Sequence, residues 1–513
     1  MPTPRLIPAL ALIAVAGATL VWLSVREHGV GLSPDSAGYV SAARSLVSQR
    51  ELTWFDGTPL VAQPPLYPAA IAFAGITASR DPLQAAGLAN VVLYLATMGM
   101  LAAFVVRRFV TLPLAGLFFA ATAAVAFPLY LVATMAWSEL LFIFFVVCAA
   151  LAGDAYVERP SSGILTALGL LAAAACLTRY AGVTLLAWGA GLVLAYGAGK
   201  PRSRIALALG FLCASSVPLA AWAARNWVLS HTLFGPRAGS AFTLMQNIRF
   251  TAAAVLSWYA PVSRIGTWAP LLLALLAAAG GTVALRGGPA ARRRPPVRLG
   301  PWLSFIAIYA GFVILVSTTS AHDQIDDRLL SPVAVHLSLL GACALGLLLE
   351  AAGDRRRTLL ARSVAAIMVA GMLVWPAARA GRATLRAARS GIGLAGLEWK
   401  KSETARYLTA HQAELSAAAI YSNAPDAVYI LTGLRARWSP AGAEYNASGP
   451  RRDVLKLRGT WPREKEATLA WFSGRKLDAL FTVDELRTIA LLEEMANLND
   501  GSIFAVSRTA HAR

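Results

Sequence analysis

Asp35 and Tyr39 lie four residues apart in a polar stretch, Ser33 to Pro68, that directly follows a long apolar run. In a helix that spacing puts both side chains on one face, and a carboxylate so placed can take a proton from a hydroxyl. The stretch closes on Gln63-Pro64-Pro65-Leu66-Tyr67-Pro68, where three prolines stiffen the path of the chain. Further on stand Trp137-Ser138-Glu139, Thr178-Arg179-Tyr180, and Trp222 with Arg225-Asn226, followed by His231 and Gly235-Pro236-Arg237. The last cluster is His322-Asp323-Gln324-Ile325-Asp326-Asp327-Arg328, followed by Ser331-Pro332. Carboxylates at these positions suit general-base work, and a guanidinium fork matches phosphate oxygens two at a time. Three carboxylates beside His322 also suit a hard cation such as Ca²⁺, although spacing alone does not establish a metal site.

Each cluster has a plainer reading. Asp35 precedes the helical pattern Ala37 to Leu46, and Asp is a favoured helix cap. Glu139 starts an apolar run, where an acidic residue suits the positive end of the helix dipole. Arg179 and Arg225 sit at the ends of apolar runs, where arginines snorkel toward headgroups. The segment 322–328 is equally readable as a solvated acidic loop.

The elements that would position these residues cross a membrane. Of the 513 residues 57% are hydrophobic and 14% charged, which is not a soluble composition. Windows of about 19 residues place helices near 6–25, 83–106, 110–131, 138–157, 161–178, 181–199, 203–223, 268–286, 300–318, 329–350 and 359–377, about eleven in all. Segment 64–79 is short and proline-led, and reads as re-entrant or interfacial. The net charge of +19 gathers in short loops: Arg107 and Arg108, Arg159, Lys200 with Arg202 and Arg204, Arg286 with Arg292 to Arg294 and Arg298, and Arg355 to Arg357. That is the positive-inside pattern rather than a nucleic-acid surface. It puts the N-terminus inside, and residues 26–82 and the C-terminal part outside. Cys148, Cys176, Cys213 and Cys343 fall in apolar runs without metal or disulfide spacing, so they read as packing residues.

After residue 377 the character changes. Runs shorten to strand length at Ala418 to Tyr421 and Leu480 to Thr482. A helical pattern follows over Asp484 to Leu498, then a turn at Asn499-Asp500-Gly501 and a strand from Ser502 to Val506. The sequence therefore divides into a membrane part, 1–377, and a small outer α/β domain, 378–513. Asn446-Ala447-Ser448 is a glycosylation triplet of a kind common by chance.

The order of the motifs resembles the GT-C membrane glycosyltransferases, and within them the bacterial dolichyl-phosphate-mannose and aminoarabinose transferase-like branch. The likeness rests on the loop Asp35 and Tyr39, the PPLYP turn, Ser138-Glu139, Thr178-Arg179 with Gly182, Trp222 to Asn226 with Gly235 to Arg237, and Asp327-Arg328. It spans roughly residues 30–335. The resemblance implies an inverting transfer in which Asp35 is the base, Glu139 assists it, and a polyprenyl-phosphate-linked sugar is the donor. Arg179, Arg225, Arg328 and Gln63 would then face the donor phosphate, and Tyr39, Tyr67, Asp326, Asp327 and His322 the substrates. Many relatives carry a basic residue or histidine where this chain has Gln63, a neutral amide that brings no charge to a phosphate. The acceptor would be a cell-envelope glycan, lipid or protein at the outer face of a bacterial inner membrane. No cofactor and no nucleotide fingerprint are expected. The rival classes are a transporter or flippase, a polysaccharide polymerase or ligase, and a partner protein that kept the fold without the activity.

Overall fold

The computed structural model describes residues 5–261, 297–351, 358–475 and 477–508. The expected helix at 268–286 and the basic residues Arg286, Arg292 to Arg294 and Arg355 to Arg357 lie outside them. The chain runs through α1 (Leu6–Val25), α2 (Pro34–Gln49), α3 (Leu66–Ala78), α4 (Pro82–Arg108), α5 (Pro113–Val125), α6 (Phe127–Ala133), α7 (Glu139–Glu158), α8 (Ser162–Thr178), α9 (Val183–Tyr196), α10 (Pro201–Ser230) and α11 (Leu244–Tyr259). Later helices cover Leu299–Thr319, Ala334–Ala351, Thr358–Val369 and Trp375–Ser390. Among the described residues seven helices are long and apolar enough to cross a membrane: α1, α4, α7, α10, and the spans Leu299–Thr319, Ser331–Leu348 and Arg362–Ser390. The segment expected as one helix over 110–131 is instead α5 and α6, bent by 45°. Pro128 accounts for the break, since it can neither donate a helical hydrogen bond nor clear the preceding carbonyl.

Two differences from the sequence reading concern amphipathic segments. α11 is absent from the apolar windows because only one side of it is apolar. Thr243 and Gln246 cap it reciprocally, and Trp258 is buried on its packed side. The last span runs on to Ser390 through a π-turn at Ala370–Val374.

The sheet domain follows Ser390. Its strands β1 (Ala419–Ser422), β2 (Arg437–Trp438), β3 (Glu466–Phe472), β4 (Ala490–Leu498) and β5 (Gly501–Arg508) are ordered β2-β1-β3-β5-β4. β1 pairs in parallel with β2 and β3, while β3–β5 and β4–β5 are antiparallel. The helical pattern expected over Asp484 to Leu498 is mostly strand. Thr482 and Glu485 cap one short helix, Val483–Arg487, and residues 490–498 then pair with β5 across the Asn499-Asp500 turn. Cross-strand pairing outweighs the helical preference of Leu491, Leu492 and the glutamates. Leu480-Phe481-Thr482, expected as a strand, makes only an isolated bridge, Ala441 to Leu480.

What brings distant residues to one place is a junction around Gly31 and Leu32. Gly31 bridges Met135 in parallel, donating to Thr134 O at 2.8 Å and accepting from Ala136 N at 2.9 Å. Leu32 exchanges backbone bonds with Ile392 and Leu394 on the far side. Gly393 has a φ of +57°, and a Cβ there would sit 2.0 Å from Leu32 O, so only glycine fits. Asn90 clamps the 133–135 turn by donating to the carbonyls of Ala133 and Met135 at 2.9 and 2.8 Å. The start of α2 is thereby fixed beside the start of α7.

α2 is pinned from both sides. Arg44 reaches Asp81 at 2.8 and 3.1 Å, and Asp81 also caps α4 by accepting from Leu83 N. Tyr39, Val40 and Ala43 share one buried cluster with Leu408, Ile420, Ala427 and Val428 of the sheet domain. The Trp54 ring lies on Gly38, where a Cβ would meet it at 2.0 Å. Gly38→Ala is expected to cost about 1–3 kcal/mol by overpacking, read as a lower melting temperature in detergent. Trp54→Leu in the same chain should recover part of that loss. Equal melting of wild type and Gly38→Ala would show that the ring does not seat there.

Candidate active site

Four charged side chains form a continuous chain at one end of the bundle. Glu139, 1% exposed, accepts from Arg179 Nη1 at 2.6 Å and from Arg328 Nε at 2.5 Å, both at Oε1. Arg328 Nη2 then donates to Asp35 Oδ2 at 2.6 Å. The Arg328 guanidinium lies over the Trp137 ring at 4.2 Å, and Trp137 Nε1 donates to Ser33 Oγ at 2.7 Å. Ser138 Oγ accepts from Arg179 at 3.0 Å and bonds the Tyr39 hydroxyl at 2.9 Å. The Trp137-Ser138-Glu139 triplet thus touches Arg179, Arg328 and Tyr39 directly and reaches Asp35 through Arg328.

Ser33, not Asp35, is the cap of α2. It accepts from Ser36 N, with Pro34 at the first helical position. The Asp35 carboxylate is therefore free of capping. One oxygen meets Arg328, and the other accepts from Gln63 Nε2 at 3.2 Å. The Asp35 side chain remains 36% exposed.

This group opens on a cavity of about 930 Å³. Its polar end is lined by Asp35, Gln63, Arg179, Arg237, Asp323 and Arg328, and its apolar wall by Val183, Leu219, Phe312, Val313 and Val316 from α9, α10 and the Leu299–Thr319 helix. Tyr445 reaches the lining from the sheet domain.

Some expected site residues stand elsewhere. Arg225 does not line the cavity. It donates to Leu60 O at 2.5 Å and stacks on Trp222 at 4.3 Å, while Asn226 holds Val61 O and Leu233 O. The Trp222–Asn226 motif is a clasp for the strand of chain that leads into the PPLYP turn. Asp326 caps the backbone N–H groups of Arg328 and Leu329, and Asp327 pairs with Arg379 at 2.8 Å and accepts from Trp258 Nε1 at 2.7 Å. Both fix the loop rather than face the cavity. Tyr67 is buried behind Tyr39, ring centroids 4.9 Å apart. Among the described residues no three His, Cys, Asp or Glu converge as a metal site requires.

Three cavity residues carry no expected donor or acceptor role from the sequence. Arg237, named above only within the Gly235-Pro236-Arg237 motif, lines the cavity, which Arg225 does not. It meets His322 Nε2 at 3.3 Å and Phe234 O at 3.3 Å, and no carboxylate pairs with it among the described residues. Asp323 lines the cavity, and desolvation, then the charge of Asp35, raises its carboxyl above the usual range. Tyr445 has no sequence signal, because it arrives from a loop more than a hundred residues beyond its neighbours. Burial raises the Tyr39 phenol above its ordinary range; Arg179 opposes this, and Asp35 and Glu139 add to it.

Burial first, then the charges of Arg237 and Arg179, push His322 down from 6.5 to about 4. A depressed imidazole contributes stability that is present above the unfolded value and lost as pH falls toward the folded one. His322→Asn should therefore leave stability unchanged above about pH 6.5 and flatten its decline between about 6.5 and 4. An unaltered acid limb in urea titrations would contradict this. Glu139→Gln leaves two buried guanidiniums facing each other, and breaking such a group costs about 3–5 kcal/mol. The expected readout is a strongly lowered melting temperature, and wild-type melting would remove Glu139 from the centre of the group.

No family pattern matches the chain, and no functionally curated protein matches it in sequence. Solved structures do. ArnT of Cupriavidus metallidurans, bound to undecaprenyl phosphate, is 14% identical with a TM-score of 0.56, covering 96% of this chain and 97% of that one. The same protein in its apo state gives 13% and 0.56. An oligosaccharyltransferase of Archaeoglobus fulgidus, in complex with Zn and sulfate, gives 13% and 0.55, over 90% of this chain and 68% of that one.

Proposed function

Because the chain has the GT-C fold, we propose that it is an inverting glycosyltransferase that takes its sugar from a polyprenyl-phosphate-linked donor. The observation that carries the reading is the exposed Asp35 carboxylate at the polar end of a cavity whose other wall is apolar. The donor makes two different demands on such a site. An apolar wall between α10 and the Leu299–Thr319 helix suits a lipid tail, and Arg237 and Arg328 suit the phosphate at its head.

Asp35 takes the proton of the acceptor hydroxyl, whose oxygen attacks the anomeric carbon from the side opposite the phosphate. The bond from that carbon to the phosphate oxygen breaks, and polyprenyl phosphate leaves with the electron pair. Arg328 orients Asp35 before attack, since it holds one carboxylate oxygen and leaves the other toward Gln63 and the cavity. Arg237, the cavity arginine without a carboxylate partner among the described residues, stabilises the charge that grows on the leaving phosphate. It also supplies the positive charge that Gln63 does not bring.

The distribution of charge supports one membrane orientation. Arg107, Arg108, Arg159, Lys200, Arg202 and Arg204 cluster at the end of the bundle opposite the site. With that end cytoplasmic, the site and the sheet domain face the outside of a bacterial inner membrane. The acceptor is then a glycan, lipid or protein of the cell envelope.

The test is transfer of labelled sugar from a panel of undecaprenyl-phosphate-linked sugars in membranes. Asp35→Asn is expected to slow transfer by on the order of 10²–10⁴ at normal expression. Arg237→Ala should slow it too, while Arg225→Ala should chiefly lower the melting temperature. Transfer by Asp35→Asn at the wild-type rate would reassign the base, and absence of transfer by wild type from every donor would favour the transporter or inactive-partner reading.

A further inference from the structure

A second cavity, of about 490 Å³, lies between α8 and α10 on the side away from the candidate active site. Small residues open it: Gly169 and Ala173 on α8 face Gly210, Ala214 and Pro218 on α10. Pro218 has no N–H to offer the carbonyl of Ala214, so the inner part of the cleft lacks a helical hydrogen bond as well as large side chains. The cleft has a defined depth. It reaches from Ser162 to Ala173 on one wall and from Leu207 to Pro218 on the other, eleven helical steps each. At 1.5 Å per residue that is about 16 Å, close to one leaflet of a hydrocarbon core about 30 Å thick.

The two ends of the cleft differ. The deep end is apolar. The rim is formed by Pro160, Ser161, Ser162 and Ala198, and beside these in the chain stand Arg159, Lys200 and Arg202, all exposed. Among the described residues, the acidic side chains near them in the chain, Asp154 and Glu158, both pair with Arg108. Arg204 is likewise committed, donating to Gly199 O at 3.2 Å at the end of α9. An apolar slot one leaflet deep, beside three exposed cations that form no ion pair among the described residues, matches one class of molecule, an anionic phospholipid. Each basic residue near such a headgroup strengthens binding several-fold.

We infer that the cleft between α8 and α10 binds an anionic phospholipid, with an acyl chain between the helices and the phosphate at Arg159, Lys200 and Arg202. This site is separate from the transfer cavity, and α10 stands between them: Pro218 lines one and Leu219 the other. Occupancy of the cleft therefore braces the same helix whose other side forms the donor wall.

The experiment is native mass spectrometry of the full chain in neutral detergent. The probes are phosphatidylglycerol, phosphatidylcholine with the same acyl chains, and undecaprenyl phosphate. Phosphatidylglycerol should be retained over phosphatidylcholine. Gly210→Leu should abolish that retention, because a Cβ at Gly210 meets nothing within 4 Å and the leucine fills the open slot without displacing a neighbour. Changing Arg159, Lys200 and Arg202 to Ser should weaken phosphatidylglycerol binding by about fivefold per cation. Melting curves show whether the variants remain folded. Undiminished phosphatidylglycerol binding by folded Gly210→Leu, or equal retention of the two phospholipids by wild type, would overturn the assignment. So would displacement of phosphatidylglycerol by undecaprenyl phosphate, which would make the cleft an extension of the donor tail path.

Discussion

Glu139 is a carboxylate with almost no access to water, held between two guanidiniums. Removing such a charge from solvent is expensive, and the cost is offset only if its partners stay in place. Much of the architecture around the site serves that condition. The junction of Gly31 with Met135 and of Leu32 with Gly393 ties α1, α7 and the last span together. The Asp326 cap and the Asp327–Arg379 pair hold the loop that delivers Arg328. Arg328 in turn fixes Asp35, so the orientation of the proposed base depends on an ion pair almost three hundred residues away in sequence.

The same arrangement separates two uses of arginine. Arg179 and Arg328 are committed to carboxylates and give the site its form, whereas Arg237 faces the cavity without a carboxylate partner among the described residues. Charge already neutralised by a neighbour offers less to a phosphate than charge that is not. Site assignment by residue type alone cannot make that distinction, which explains why Arg225 was expected at the site while Arg237, twelve residues on, is the one that lines the cavity. Arg225 carries the more conspicuous motif, but its guanidinium is occupied by Leu60 O and the Trp222 face.

Much of the fold was legible in the sequence because lipid imposes long apolar runs that few other structures require. The spans, their order and the short proline-led segment at Leu66–Ala78 follow from that constraint. What escaped depended on tertiary context. α11 hides half its surface from a hydropathy window, and residues 490–498 carry a helical composition that pairing with β5 overrides. In the site, Asp35, Glu139, Arg179 and Arg328 were legible as separate motifs, but their linkage was not. Ion-pair partners leave no trace in local spacing, and neither Asp323 nor Tyr445 stood out from its loop.

The central claim is that Asp35 and a polyprenyl phosphate share one cavity. The most direct measurement is an experimental structure of the full chain with undecaprenyl phosphate bound. The account predicts phosphate density within hydrogen-bond reach of Arg237 or Arg328, with the tail running past Leu219 and Phe312. Density placing the phosphate outside that cavity, or against Arg225 with Arg237 and Arg328 untouched, would contradict it.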